Sequence, residues 1–262
     1  MQLVFAATLP HSPLLIPNIG KDNLSFFPQT INAARELAQG LKEASPDCVL
    51  IISAYGPRRE QGFVMNVSPS FQSDLSAFGD LVTDSRYTGS LSLPARLREA
   101  LEGKCSLQLT TQEKLDYGSF LPLYLLQVSA TLPILPLSPS SGSLKDNFAY
   151  GRSLQECLFA EDQRVAIIAS ADLSHKLSKK SPAGFSAKAK KLDQKIIDSL
   201  IRNDVSEILA LNEKTLNEAL VEDMNSLAVF LGLIEGYELS GRLLSYEAPF
   251  GVGHPLISYQ LP

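Results

Sequence analysis

The chain has 262 residues but only three cysteines and three histidines. Cys48, Cys105 and Cys157 stand far apart and form no Cys-x-x-Cys pair, which excludes a zinc ribbon or a dithiol redox centre and leaves buried thiols. Basic charge is also short, with 23 Lys and Arg against 28 Asp and Glu and a net charge of −5. No overall positive field gathers phosphates, so nucleic acid is excluded as a partner. Long apolar runs are missing too. The best, 120–137, is broken by Gln127 and three prolines, short of the roughly 20 residues that cross a bilayer. The stretch from Met1 to Pro10 has no positive residue before its apolar part. It therefore predicts a strand of the mature protein rather than a signal peptide, and with it a cytoplasmic location. Gly251-Val252-Gly253 lacks the third glycine and the following helix and strand of a dinucleotide loop, which excludes nicotinamide binding.

What is present is enough apolar residue, 45% of the chain, to fill one large core. No repeat, linker or low-complexity tract divides it, so residues 1–262 read as one domain. Short runs rich in β-branched residues recur at Leu3–Thr8, Cys48–Ser53, Ile134–Leu137 and Val165–Ser170. Between them lie helix-period stretches: Ile31, Ala34, Leu37 and Leu41 after Pro28, then Leu144, Phe148, Leu154 and Leu158, then Leu192, Ile196 and Leu200. Asn225 to Gly236 is apolar nearly all round, as suits a buried helix, and Arg242 to Gln260 reads as two strands. This alternation predicts an α/β fold: a mostly parallel central sheet with helices on both faces.

In such a sheet ligands sit beyond the carboxyl ends of the strands. His11, between Pro10 and Pro13, follows the first strand, and Asp172 and His175 follow the Val165 strand. A stiffly held imidazole suits metal ligation or proton transfer; a ring satisfied by a backbone carbonyl is the alternative for His11. Asp172 is either the carboxylate that orients the His175 ring or a helix N-cap. His254 has no acidic neighbour in sequence and reads as structural or surface. Lys188, Lys191 and Lys195 share one helical face opposite Leu192 and Ile196 and read as a solvated face, with an anion-attracting rim near His175 as the sharper reading.

Five motifs keep their order along the chain: 10–17 (PHSPLLIP), 47–57 ending in Ser53-Ala54-Tyr55-Gly56-Pro57, Asp116-Tyr117-Gly118, 169–175 (ASADLSH) and 246–251 (YEAPFG). Together they resemble the LigB family of class III extradiol ring-cleavage dioxygenases, which has the MEMO-like proteins as relatives. The resemblance implies a domain holding one non-haem Fe(II) on two histidines and a carboxylate, with open positions for a catecholic substrate and O₂. It makes His11 the first ligand and His175 an acid/base or substrate-binding residue, with Asp172 beside it.

The chain also departs from the family pattern. Tyr55 stands where the family has a ligand histidine, Tyr117 where it has an acid/base histidine, and the third ligand falls at Val221 or Glu222. The ligand set implied by the resemblance is therefore His11, Tyr55 and Glu222, with His175, Tyr117 and Asp172 carrying catalysis. Two readings follow. One is a dioxygenase homologue with altered catalysis. The other is a non-catalytic, MEMO-like protein that uses the cleft for a small aromatic (catechol-like) or acidic ligand, or for a protein partner. A second copy of the chain is a further partner open to either.

Overall fold

The protein is described from a computed structural model, which covers residues 2–57, 59, 62–159 and 162–261. Its strands are β1 (Gln2–Leu9), β2 (Cys48–Ile52), β3 (Phe63–Asn66), β4 (Ser70–Ser73), β5 (Arg86–Thr88), β6 (Leu107–Thr110), β7 (Lys114–Leu115), β8 (Ile134–Ser138), β9 (Arg164–Ser170), β10 (Ser240–Glu247) and β11 (His254–Gln260). Its helices are α1 (Pro17–Gly20), α2 (Pro28–Ala44), α3 (Ser92–Leu101), α4 (Tyr117–Leu125), α5 (Leu144–Phe159), α6 (Ala189–Arg202), α7 (Val205–Leu209), α8 (Glu213–Ala219) and α9 (Met224–Leu233).

Eight strands make one sheet in the order β10-β11-β1-β9-β2-β8-β3-β6, while β5-β4-β7 form a small second sheet. The four strands legible as apolar runs, β1, β9, β2 and β8, lie side by side and parallel at its centre. They are continuous in apolar residues because both faces are covered. On one face Leu50 and Ile52 join Leu154, Leu158 and Phe230; on the other Val49 and Ile51 join Leu37, Leu41 and Phe120. Antiparallel pairing appears only outside this block, at β1–β11, β10–β11 and β3–β8 in the large sheet and β4–β5 in the small one.

Two helices bear directly on the site. Helix α9 is buried from Met224 to Leu233 except at Asn225, and it packs on α5 at a crossing built on glycine. A Cβ on Gly232 would stand 2.2 Å from the Phe148 carbonyl oxygen, and one on Gly151 the same distance from that of Val229. Helix α2 begins with Pro28, and its free amides on Gln29 and Thr30 donate to the Glu247 carboxylate at 3.2 and 2.7 Å. An anion there suits the helix dipole and fixes the end of β10, just before Phe250, against the residues leading into α2. Lys191 and Lys195 are exposed opposite Leu192 and Ile196, the solvated face expected from their spacing. Among the described residues no helix is long and apolar enough to cross a membrane.

Candidate functional site

Neighbouring parallel strands end together. Leu9 of β1 pairs with Ser170 of β9, so the residues that follow, His11 and Asp172, emerge at one edge of the sheet. On the other side of β9, β2 ends at Ile52 and delivers Tyr55 to the same edge. Strand β11 runs antiparallel to β1 and therefore starts where β1 ends, which brings in His254. The first residue of α4, Tyr117, and the residue before α9, Asp223, complete the group.

His11, Asp172, Asp223 and His254 form its floor, each at most 3% exposed. His11 Nδ1 bonds with Ser170 Oγ at 3.1 Å, and its Nε2 stands 3.6 Å from an oxygen of both Asp172 and Asp223. That separation is beyond hydrogen-bond range. The other Asp172 oxygen bonds with His254 Nδ1 at 2.8 Å, and the Asp172 amide donates to Asp223 Oδ2 at 3.0 Å. Asp223 Oδ1 is buried without a hydrogen-bond partner. The two acids are held differently. Burial opposes ionisation of Asp172, but the imidazoles of His11 and His254 outweigh it and hold its carboxyl below the usual range. Burial dominates at Asp223, and although His11 pulls the other way, the nearby Asp172 charge adds to the rise, leaving its pKa at about 6.

Aromatic rings make the walls. The Tyr55 and Tyr117 rings lie 4.8 and 5.8 Å from that of His11 and 4.5 Å from each other, and Phe78 packs edge-on to Tyr117 at 5.1 Å. Burial, reinforced by the Asp223 charge, pushes the Tyr55 phenol far above its ordinary value. Burial likewise raises Tyr117 to about 12 even though the bond from Tyr55 opposes it. The two tyrosines are placed by Asp116, which caps α4: it accepts from the Ser119 amide at 2.8 Å and from Ser53 Oγ at 2.6 Å. Ser53 Oγ in turn accepts the Tyr55 amide at 3.1 Å. Gly118 is required here, because a Cβ would fall 2.5 Å from Ser53 Oγ and 2.8 Å from the Tyr55 ring. His11, Asp172, His254 and the aromatic walls line an open cavity of about 180 Å³, with His175 and Phe250 at its side; Asp223 is not among the described residues that line it. A larger groove of about 550 Å³ lies at the opposite edge of the sheet, between the end of α2 and residues 126–132, and holds no histidine or acid.

Of the residues singled out in the sequence, His11, Tyr55, Tyr117, Asp172 and His175 all line this cavity. Three expectations need correcting. Glu222 does not reach it: the side chain is exposed in a separate groove with Glu213 and Asn217, and Val221 is buried in the core. The carboxylate beside His11 is Asp223, because only one of two successive residues entering α9 can turn inward. His254 takes the structural of its two alternatives: it is buried, and it has an acidic partner that its sequence neighbours did not show. Asp172 caps no helix and bonds with His254, while the His175 ring is oriented through Nδ1 by the Leu220 carbonyl oxygen at 2.9 Å. Sequence reasoning missed Asp223 and His254. A search at the start of the antiparallel strand, as well as after the parallel ones, points to the second.

The match to a family model decides the family. Residues 5–256 fit the description "Catalytic LigB subunit of aromatic ring-opening dioxygenase". The chain belongs to the LigB family. It is similar to Protein CA_C1420 of Clostridium acetobutylicum, with 22% identity over 96% of this chain and 56% of that protein, so it spans a little over half of that relative's length. It shares its fold with the crystal structure of uncharacterized protein JW3007 from Escherichia coli K12, at a TM-score of 0.70, 20% identity and coverage of 97% of this chain and 99% of that one.

LigB proteins are usually iron-dependent, but this donor set does not fit two histidines and a carboxylate. His11 is present, and Asp223 Oδ2 stands 3.6 Å from its Nε2. The ring packed against His11 is the Tyr55 phenol, which keeps its proton, and Asp172 is engaged with His254. Among the described residues no three His, Cys, Asp or Glu side chains are arranged to hold an ion.

Proposed function

We propose that this LigB-family protein uses the cleft to bind a small ligand and does not open a catechol ring with iron and O₂. Tyr55 carries the reading. Its phenol stands at the position of a family ligand, and burial next to Asp223 keeps it neutral far above physiological pH. A neutral phenol is a weak donor to Fe(II), where a ring-opening centre needs imidazole. Tyr117, which holds its proton to about pH 12, donates or accepts a hydrogen bond but does not cycle a proton near neutrality as imidazole does. The chain's own groups still bind and orient a guest. With His175 Nδ1 committed to the Leu220 carbonyl, Nε2 is the ring atom left to meet a ligand, and the two tyrosine rings, tilted 49° to each other, line the same cavity.

A second reading, an active dioxygenase, is favoured by the retention of His11 and by the buried Asp223 carboxylate, whose Oδ2 stands 3.6 Å from its Nε2. Oxygen uptake by protein loaded with Fe(II), measured over a panel of catechols against free Fe(II), separates the two. The binding reading expects no uptake above the control. Multiple-turnover uptake that His11→Ala abolishes overturns it.

A further inference from the structure

We infer that Asp193, which stands behind the cleft on α6, is a positioning residue: it clamps the segment that carries Asp172 and His175 to the strands that carry His254. That role is the same whether the cleft binds its guest or oxidises it.

Helix α6 turns Ala189, Leu192, Ile196 and Leu200 to the core, and Asp193 is buried among them at 1% exposure. A carboxylate in such a strip costs stability unless donors meet it. Three do. Its Oδ1 accepts the Ser174 amide at 3.1 Å and also the Ser174 hydroxyl, while Oδ2 accepts the Tyr246 hydroxyl at 2.5 Å. These donors come from two segments that reach the cleft. Ser174 immediately precedes His175 and lies two residues after Asp172, and Tyr246 of β10 pairs with Pro255 of β11, the neighbour of His254.

The two segments meet directly beneath the carboxylate. The Leu173 amide donates to the Gly253 carbonyl oxygen at 2.8 Å, and the Gly253 amide returns a bond to that of Ser174 at 3.0 Å. Asp193 packs on this junction so closely that a Cβ on Gly253 would fall 2.4 Å from its Oδ2 and 2.9 Å from the Tyr246 hydroxyl oxygen. Glycine is what lets the acid reach both partners. Across the same junction Asp172 bonds with His254 Nδ1 at 2.8 Å. Such a bond depends steeply on distance and angle, so a small displacement at Ser174 changes both the Asp172–His254 contact and the aim of the His175 ring.

The test uses the chain's three histidines, His11, His175 and His254, all of which line the cavity. NMR signals from isotope-labelled histidine rings therefore report on the cleft alone. Asp193→Asn keeps the side chain's size but replaces one acceptor oxygen by a donor, against a site that supplies only donors. In the metal-free full chain at neutral pH it is expected to shift the His175 and His254 ring signals, with His11, bonded to Ser170 of β9, shifting least. Tyr246→Phe removes one bond of the three, so it should shift the same signals by less and serves if Asp193→Asn fails to fold. Ser199→Ala is the control: Ser199 is also buried on α6, but its hydroxyl bonds with the Lys195 carbonyl and Glu207. It is expected to lower the melting temperature and leave all three ring signals at their parental positions. Asp193→Asn or Tyr246→Phe lowering the melting temperature with every ring signal unmoved overturns the positioning role and makes Asp193 structural only. Ring signals that move as far in Ser199→Ala overturn it as well. With no ligand or metal in the sample, either result leaves both readings of the cleft standing.

Discussion

Replacing Asp223 by asparagine probes how the buried acid pair is held. Burial and the Asp172 charge raise the Asp223 carboxyl from 3.8 to about 6, against the pull of His11. A folded-state value above the unfolded one means that the folded protein binds this proton more tightly. The stability so gained is complete below about pH 4 and is lost as pH rises through about 6. At about 1.4 kcal/mol per pH unit, the loss reaches about 3 kcal/mol above neutrality. Asp172 has the opposite sign: its carboxyl is held below the usual range, so its contribution is present above about pH 4 and fails only in stronger acid. The two windows are therefore separate. Asparagine removes the charge and keeps a carbonyl oxygen for the Asp172 amide that now donates to Asp223 at 3.0 Å. Its amide nitrogen takes over the buried site without a partner, which returns part of the gain. Urea melts with chelator present should find Asp223→Asn more stable than the parent at about pH 8, by about 1–3 kcal/mol, and flatter between about pH 4 and 7. A variant less stable than the parent at the higher pH, with an unchanged slope below it, would refute the reasoning.

Removing the His254 ring leaves a buried Asp172 oxygen without its 2.8 Å partner. His254→Ala should cost about 3–5 kcal/mol in a denaturant melt at neutral pH, and a near-parental melt would mean the pair is not held as described. Gly118→Ala drives a methyl group to within 2.8 Å of the Tyr55 ring and should cost about 1–3 kcal/mol; an unchanged melt speaks against the close approach. At the α5–α9 crossing, Gly232→Ala meets backbone at 2.2 Å, which side-chain rotation cannot relieve. Its thermal midpoint should fall despite alanine's better helix propensity, and a rise would show that the helices part freely.

The central strands were legible because strands buried on both faces are continuous apolar runs, as Val49–Ile52 and Val165–Ala169 are. The small sheet was not: β5 and β7 span three and two residues, too short for any period to register. Helix α4 was hidden because Phe120 to Leu123 is apolar all round and carries Pro122, so it has neither a polar face nor an ordinary helix composition. His11, Tyr55, Asp172 and His175 could be located from strand ends, and Tyr117 only through the family motif that contains it. Asp223 could not, because Glu222 and Asp223 are chemically alike and their separation is made by the turn into α9, which buries one and exposes the other. His254 was read by its sequence neighbours, yet its acidic partner is 82 residues away and reached only by antiparallel pairing.

Whether the cleft is an incomplete iron centre is tested most directly by anaerobic Fe(II) titration of the parent beside Tyr55→His. The parent should show no saturable binding at micromolar Fe(II), and Tyr55→His should gain a site that His11→Ala removes again. Stoichiometric binding by the parent, abolished by His11→Ala, would contradict it.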